Sequence, residues 1–113
     1  NAQNQIQELI GGAFAGMVNV PGSWQSHAGC GGDWMPDCEL TALEEVDGLY
    51  VGTFEIPAGE YDVKVALDGS WAINFGVDGV AGGDNYSFEL TEDGKVTFTF
   101  DPETNLLDIE IEY

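Results

Sequence analysis

Alternation of apolar and polar residues, interrupted by turn-forming residues about every ten positions, is the feature that most limits how this chain can fold. A side-chain period of two places every second residue of a strand on the same face. Regular strands of this kind, separated by Gly, Pro, Asp and Asn, predict an all-β antiparallel sandwich. The inward-facing residues of the last two predicted strands are Val96, Phe98, Phe100, Leu107, Ile109 and Ile111.

The turn residues set the expected order of strands. Asp47–Gly48 and Asp93–Gly94 are each expected to close a hairpin, and residues 23–37 form a long loop. We expect residues 1–12 to be a linker or a short helical lead-in, and 13–113 to be a single module. The predicted strands are 13–20, 40–46, 49–56, 61–67, 71–75, 85–90, 95–100 and 106–113.

The charge is strongly one-sided and excludes several kinds of partner. The chain carries 21 acidic residues against two lysines, Lys64 and Lys95, and its formal net charge is −19. Nucleic acids and anionic membranes bind to clustered Lys and Arg, so we expect neither as a partner. No apolar run is long enough to span a bilayer. The composition favours a neutral ligand.

Catalytic and metal-binding patterns are weak. His27 is the only histidine and has no nucleophile pattern around it, so we expect a solvated loop residue and no enzyme activity. Asp33, Asp37 and Glu39 carry oxygen atoms that calcium could use, yet the spacing is not that of an EF-hand. The sequence predicts no metal site and no cofactor.

Two cysteines, Cys30 and Cys38, lie in a loop rich in Gly, Pro and Asp. This spacing suits a disulfide that links the two ends of a hairpin. The two cysteines make a poor metal site, because no further thiols or histidines accompany them. A disulfide in turn indicates a protein that is secreted or displayed at the cell surface.

The three tryptophans differ in their surroundings. Trp34, in Gly-Gly-Asp-Trp-Met-Pro, and Trp71, after Asp-Gly-Ser, lie beside turn residues and outside the alternating strands. Rigid rings on loops suit stacking against the apolar faces of sugar rings, but each ring could equally plug an end of the sandwich. Trp24 directly follows the first predicted strand, where packing on the core is favoured.

One lysine is placed by the alternation itself. In 61–67 the apolar residues occupy alternate positions from Tyr61 onwards, so Asp62, Lys64 and Ala66 share the opposite face. Lys64 is therefore expected to point away from the core.

Six segments, taken in order over about residues 18–101, carry a resemblance to a known family. They are 22–26 (Gly-Ser-Trp-Gln-Ser), 29–38 (Gly-Cys-Gly-Gly-Asp-Trp-Met-Pro-Asp-Cys), 52–67 (Gly-Thr-Phe-Glu-Ile-Pro-Ala-Gly-Glu-Tyr-Asp-Val-Lys-Val-Ala-Leu), 70–76 (Ser-Trp-Ala-Ile-Asn-Phe-Gly), 83–85 (Gly-Asp-Asn) and 96–98 (Val-Thr-Phe). Together they resemble the small module that precedes the catalytic domain in bacterial pullulanases. Similar modules occur in amylases, starch-uptake surface proteins and starch-scavenging complexes.

The resemblance implies an immunoglobulin-like sandwich that binds starch-type α-glucans without catalysis. Trp34 and Trp71 would be the sugar platforms, Lys64 would donate to sugar hydroxyls, and Asn74 would hydrogen-bond an adjacent glucose. Asn85 matches a glycine-flanked asparagine that either contacts the ligand or pins its loop. The implied partners are starch, amylopectin, pullulan or maltooligosaccharides, and the module would target an attached glycoside hydrolase or a multi-module starch-binding scaffold to them.

One stretch departs from the resemblance. Relatives usually have Trp-Asp-Glu-Asn-Tyr-Gly where this chain has Ala72, Ile73 and Phe75 in place of the two acids and the tyrosine. Any sugar contact those acids make is missing here. A structural or adhesion domain that docks a protein partner remains the main alternative, and a hydrolase or transferase is a second one.

Overall fold

Nine strands and three 3-10 helices make up the regular structure of residues 17–113, the part of the chain that this computed structural model describes. The predicted lead-in 1–12 and the first part of the predicted strand 13–20 lie outside the described residues. The strands are β1 (Val18–Asn19), β2 (Glu44–Val46), β3 (Leu49–Ile56), β4 (Gly59–Val63), β5 (Val65–Leu67), β6 (Asn74–Phe75), β7 (Tyr86–Leu90), β8 (Gly94–Asp101) and β9 (Leu106–Glu112). The 3-10 helices are Gln25–Ala28, Glu39–Thr41 and Val77–Gly79.

The strands form two layers. One layer is the sheet β2-β3-β8-β9, and the other consists of the smaller sheets β1-β5-β6 and β4-β7. All strand pairs are antiparallel, and β4 runs directly into β5 with only Lys64 between them. The architecture confirms the predicted all-β antiparallel sandwich. No helix in residues 17–113 is long and apolar enough to cross a membrane.

The core lies between the layers and follows the alternation in the sequence. Phe98 and Phe100 on β8 are fully buried, as are Val63 and Val65 from the opposite layer. Burying a side chain of this type stabilises the fold by about 1.5–3 kcal/mol. Near the end of β9 the predicted inward residue Ile111 is 36% exposed, because that strand is at the edge of its sheet.

One predicted hairpin is present and the other is absent. Asp47–Gly48 joins β2 and β3, although β2 begins at Glu44 because Glu39–Thr41 forms a 3-10 helix. The expected hairpin at Asp93–Gly94 is wrong: β7 pairs with β4, whereas β8 pairs with β3 and β9. The Asp-Gly turn reverses the chain, but it leads from one layer into the other.

The predicted strand 61–67 is divided at Lys64, whose backbone N–H donates to the carbonyl of Pro21 at 2.9 Å. Its apolar face is buried as expected. Ala66, predicted on the face opposite to these apolar residues, is also fully buried. The reason is that Ala66 pairs with Asn19, and the Asn19 amide donates to the carbonyl of Cys38. The long loop therefore covers this outer face.

Candidate functional site

Trp34 and Trp71 lie side by side at the protein surface. Their ring centroids are 6.4 Å apart and their planes are tilted by 39°. Trp34 is 36% exposed and Trp71 is 39% exposed, so neither ring serves as a plug of the core. Two partly exposed, tilted indoles form an apolar surface on which the faces of a neutral ligand can stack. We call these two residues the tryptophan pair.

Trp24, the third tryptophan, is a core residue, as the sequence favoured. It is fully buried, and its Nε1 donates to the carbonyl of Val20 at 3.0 Å. Its ring lies 4.9 Å from Phe54 and 5.2 Å from Phe98, measured between centroids. A buried indole with its only polar atom satisfied is fixed packing. Trp24 adds nothing to the exposed surface.

A disulfide closes the loop that carries Trp34. Cys30 and Cys38 are bonded, with their Cα atoms 6.1 Å apart, which confirms the predicted pairing. The loop is tied to β1 because the Asn19 amide donates to the carbonyls of Pro36 at 3.0 Å and Cys38 at 2.8 Å. The loop is thus anchored both covalently and by buried hydrogen bonds.

Trp34 itself has a left-handed backbone, with φ of 58°. Every other non-glycine residue with positive φ in 17–113 is Asp or Asn, the types that tolerate this region, whereas a bulky aromatic residue there is an outlier. The conformation is enforced by the Trp34 N–H, which donates to the carbonyl of Gly22 at 3.1 Å. Strained residues concentrate at functional sites, which marks Trp34 as a candidate.

Trp71 is held by the turn that leaves β5. Asp68 and Gly69 both have positive φ, 62° and 73°, as in the tight turns that favour Asp-Gly. A β-carbon built on Gly69 would lie 3.7 Å from the β-carbon of Asp37, so this turn is a neighbour of the disulfide loop. The two loops that carry the tryptophan pair therefore support each other.

Lys64 and Asn85 lie at the end of the β4–β7 pairing. The last pair of that ladder is Val63 with Tyr86, and each of the two residues is the next one past it. Lys64 is half-buried and Asn85 is exposed. The sugar contacts expected for both residues stay predictions.

Asn74 lies on the same face of its sheet as Ala66, because the two residues pair directly. Its Nδ2 donates to the carbonyl of Trp71 at 2.8 Å. Its Oδ1 is buried without a hydrogen-bond partner among residues 17–113. Asn74 thus fixes the Trp71 turn, and the sugar contact expected for it stays a prediction.

A cleft of about 610 Å³ opens where β3 meets β4, at the opposite end of the β4–β5 segment from the Trp71 turn. His27 lines this cleft and lies edge-on to Tyr61, with ring centroids 5.8 Å apart. Burial, and to a lesser extent the Asp93 carboxylate, raises the pKa of Tyr61, which keeps its hydroxyl protonated to donate to Pro57. No group of three or more potential metal ligands occurs in 17–113.

Three residues that matter to the site were not expected from the sequence. Asn19, Gln25 and Thr41 are fully buried polar residues that lie beneath the disulfide loop. Asn19 offers one sequence signal, since it interrupts an apolar run between Val18 and Val20. Nothing in the sequence marks Gln25 or Thr41.

The fold and the site together define a small β-sandwich module that displays a fixed, partly strained pair of surface tryptophans. The chain belongs to the Pullulanase X25 domain family, whose profile matches residues 17–107. It is 35% identical over 91 residues to an amylopullulanase from Thermoanaerobacterium thermosulfurigenes, and 36% identical over 91 residues to one from Thermoanaerobacterium saccharolyticum. Each alignment covers 79% of this chain, but only 5% and 7% of those relatives.

A solved structure has the same fold. Pullulanase from Bacillus acidopullulyticus superimposes with a TM-score of 0.76 at 33% identity, covering 86% of this chain and 12% of that one. In each of these comparisons the chain corresponds to a small part of a much longer protein.

Proposed function

We propose that this chain is a non-catalytic carbohydrate-binding module that binds starch-type α-1,4/α-1,6-glucans at the tryptophan pair. The observation that carries the proposal is the pair itself: two exposed rings, 6.4 Å apart, one held in a strained backbone conformation. The names of the relatives, pullulanase and amylopullulanase, supply the substrate class. The module spans 5–7% of the amylopullulanases, which supports a role in targeting an attached glycoside hydrolase or scaffold.

The geometry of the tryptophan pair supports binding by stacking. Sugar rings stack on the two indoles, and the 39° tilt between their planes suits a chain that curves, as α-1,4-glucans do, better than a flat one. Lys64, Asn74 and Asn85 donate to sugar hydroxyls and so fix the register of the glucan chain on the tryptophan pair. A preformed surface with few hydrogen bonds gives a dissociation constant of about micromolar to millimolar.

The disulfide supports a location outside the cytoplasm. Cys30–Cys38 persists in an oxidising compartment, which supports a secreted or cell-surface protein. The acidic surface suits a neutral polysaccharide such as starch, amylopectin or pullulan.

Affinity electrophoresis in gels containing amylopectin or pullulan tests the proposal. Trp34→Ala and Trp71→Ala should each lose about 2 kcal/mol of binding free energy, enough to abolish retardation. Tyr113→Ala is the matched control, because Tyr113 is an exposed aromatic residue that lines the remote cleft. Retardation that persists in both tryptophan variants would contradict the proposed site.

A further inference from the structure

A connected group of buried polar side chains lies beneath Trp34. Asn19, Gln25 and Thr41 are the fully buried polar residues of the described chain, each with no exposed surface. Gln25 Nε2 donates to Thr41 Oγ1 at 3.0 Å, and Thr41 Oγ1 donates to Asn19 Oδ1 at 2.7 Å. The three residues therefore form one hydrogen-bond network, which we call the buried relay.

The Gln25 side chain connects this relay to the residue next to Trp34. The Met35 N–H donates to Gln25 Oε1 at 2.7 Å, and Gln25 Nε2 donates to the Met35 carbonyl at 2.8 Å. A primary amide can pair with a backbone N–H and a carbonyl at once, as a neighbouring strand would. Gln25 thus hydrogen-bonds both the N–H and the carbonyl of Met35.

The Gln25 side chain also contacts Gly22, the residue whose carbonyl accepts the Trp34 N–H. Gln25 Oε1 accepts the N–H of Gly22, whose carbonyl accepts the N–H of Trp34. The left-handed backbone of Trp34 therefore lies between two backbone groups that Gln25 contacts, those of Met35 and Gly22. A β-carbon at Gly22 would collide with the Asp62 carbonyl, so this anchor is fixed against β4.

We propose that Gln25 is the positioning residue of the tryptophan pair. It holds Trp34 in its left-handed conformation in the free protein, so that the indole already faces Trp71 before ligand arrives. A preformed surface avoids the cost of ordering a loop during binding. The effect on glucan affinity rests on the proposed function, but the effect on the orientation of Trp34 does not.

Gln25→Met tests the proposal, because methionine has a similar length and shape but neither the donor nor the acceptor. The first measurement is proton NMR of the free protein, with nuclear Overhauser effects between the Trp34 and Trp71 rings. Trp34→Phe and Trp71→Phe variants assign the indole signals. The second measurement is affinity for maltoheptaose, and the third is cooperative unfolding in urea.

We expect folded Gln25→Met to lose the nuclear Overhauser effects between the Trp34 and Trp71 rings. We also expect it to bind maltoheptaose about tenfold more weakly than wild type does. A role confined to stability would lower the urea midpoint and leave the ring contacts intact. Thr53→Val is the control, since it removes an exposed threonine-threonine hydrogen bond on the other layer. It should keep both the ring contacts and the affinity.

If Gln25→Met does not fold, Thr41→Val takes its place, because it removes the relay hydroxyl while preserving shape. It should weaken the ring contacts to an intermediate degree. Wild-type ring contacts in a folded Gln25→Met or Thr41→Val protein would overturn the proposal. A wild-type protein that shows the contacts but binds no glucan would contradict the proposed function, while the variants would still decide the role of Gln25.

Discussion

Asn74 donates a hydrogen bond from Nδ2 to the carbonyl oxygen of Trp71 at 2.8 Å. The contact joins the start of β6 to the turn that displays one ring of the tryptophan pair. A residue expected to contact sugar therefore also determines where an aromatic platform lies. In the proposed site, the Asn74 side chain would both contact sugar and support the turn that carries Trp71.

Asn74→Asp should separate these roles, because it replaces the donor with an oxygen that repels the Trp71 carbonyl. We expect unfolding free energy to fall by about 1–3 kcal/mol, measured by urea denaturation, and glucan retardation to weaken. Asn85→Asp makes the same chemical change at an exposed position and should leave stability within about 0.5 kcal/mol of wild type. Equal stability of the Asn74 variant and wild type would show that this hydrogen bond does not fix the turn.

The positive φ of Trp34 makes a prediction about stability alone. Trp34→Gly should be more stable than Trp34→Ala by about 1 kcal/mol, because glycine enters the left-handed region without the cost that a β-carbon imposes. Urea unfolding curves compare the two variants directly.

Trp71 supplies the control for that comparison, since it is not among the residues with positive φ. There the order should reverse, with Trp71→Ala more stable than Trp71→Gly by about 0.5–1 kcal/mol. The same order at both positions would argue against strain at Trp34.

Removing the disulfide should loosen Trp34 without detaching its loop. The Cys30→Ser, Cys38→Ser double variant should lose up to about 2.5 kcal/mol of stability by the chain-entropy estimate for so short a loop. The hydrogen bonds from Asn19 to Pro36 and Cys38 remain possible, so glucan affinity should fall less than in Trp34→Ala. Calorimetric unfolding measures the loss of stability, and gel retardation measures the loss of glucan affinity. A loss of binding as complete as in Trp34→Ala would mean that the disulfide alone holds the loop.

Lys64 is expected to contribute through its ammonium group. Lys64→Met keeps most of the apolar stem, so stability should change by less than about 0.5 kcal/mol, while affinity for maltoheptaose should fall by about 1–2 kcal/mol. Lys95→Met is the matched control, because Lys95 lines the remote cleft. Isothermal titration of both variants is the measurement. An equal loss in the two would indicate a general charge effect.

The sequence predicted those parts of the fold that depend on local pattern. Alternation identified the buried face of β8, and Asp47–Gly48 correctly marked the first hairpin. The Asp93–Gly94 hairpin failed because a turn signal specifies a reversal of the chain and not the layer in which the next strand pairs. That choice is made by tertiary packing.

In the candidate site, too, local sequence pattern predicted some features and tertiary packing determined the others. The turn residues around Trp34 and Trp71 placed both rings outside the alternating strands but left open whether they were exposed, whereas the cysteine spacing indicated the disulfide. The strained backbone of Trp34 and its support by Gln25 depend on residues brought together by the fold, so no local pattern reveals them. Burial of Ala66 escaped prediction for the same reason, because alternation does not show which outer face a loop will cover.

Titration of the wild-type module with maltooligosaccharides of increasing length, with cellooligosaccharides as controls, tests the central claim most directly. Quenching of tryptophan fluorescence and heat of binding should both be observed with maltooligosaccharides, and affinity should rise with length until the tryptophan pair is filled. Cellooligosaccharides should produce neither signal. An absence of binding to maltoheptaose would contradict this claim and favour a structural or adhesion domain, and equal binding of the two series would contradict the proposed preference for α-glucans.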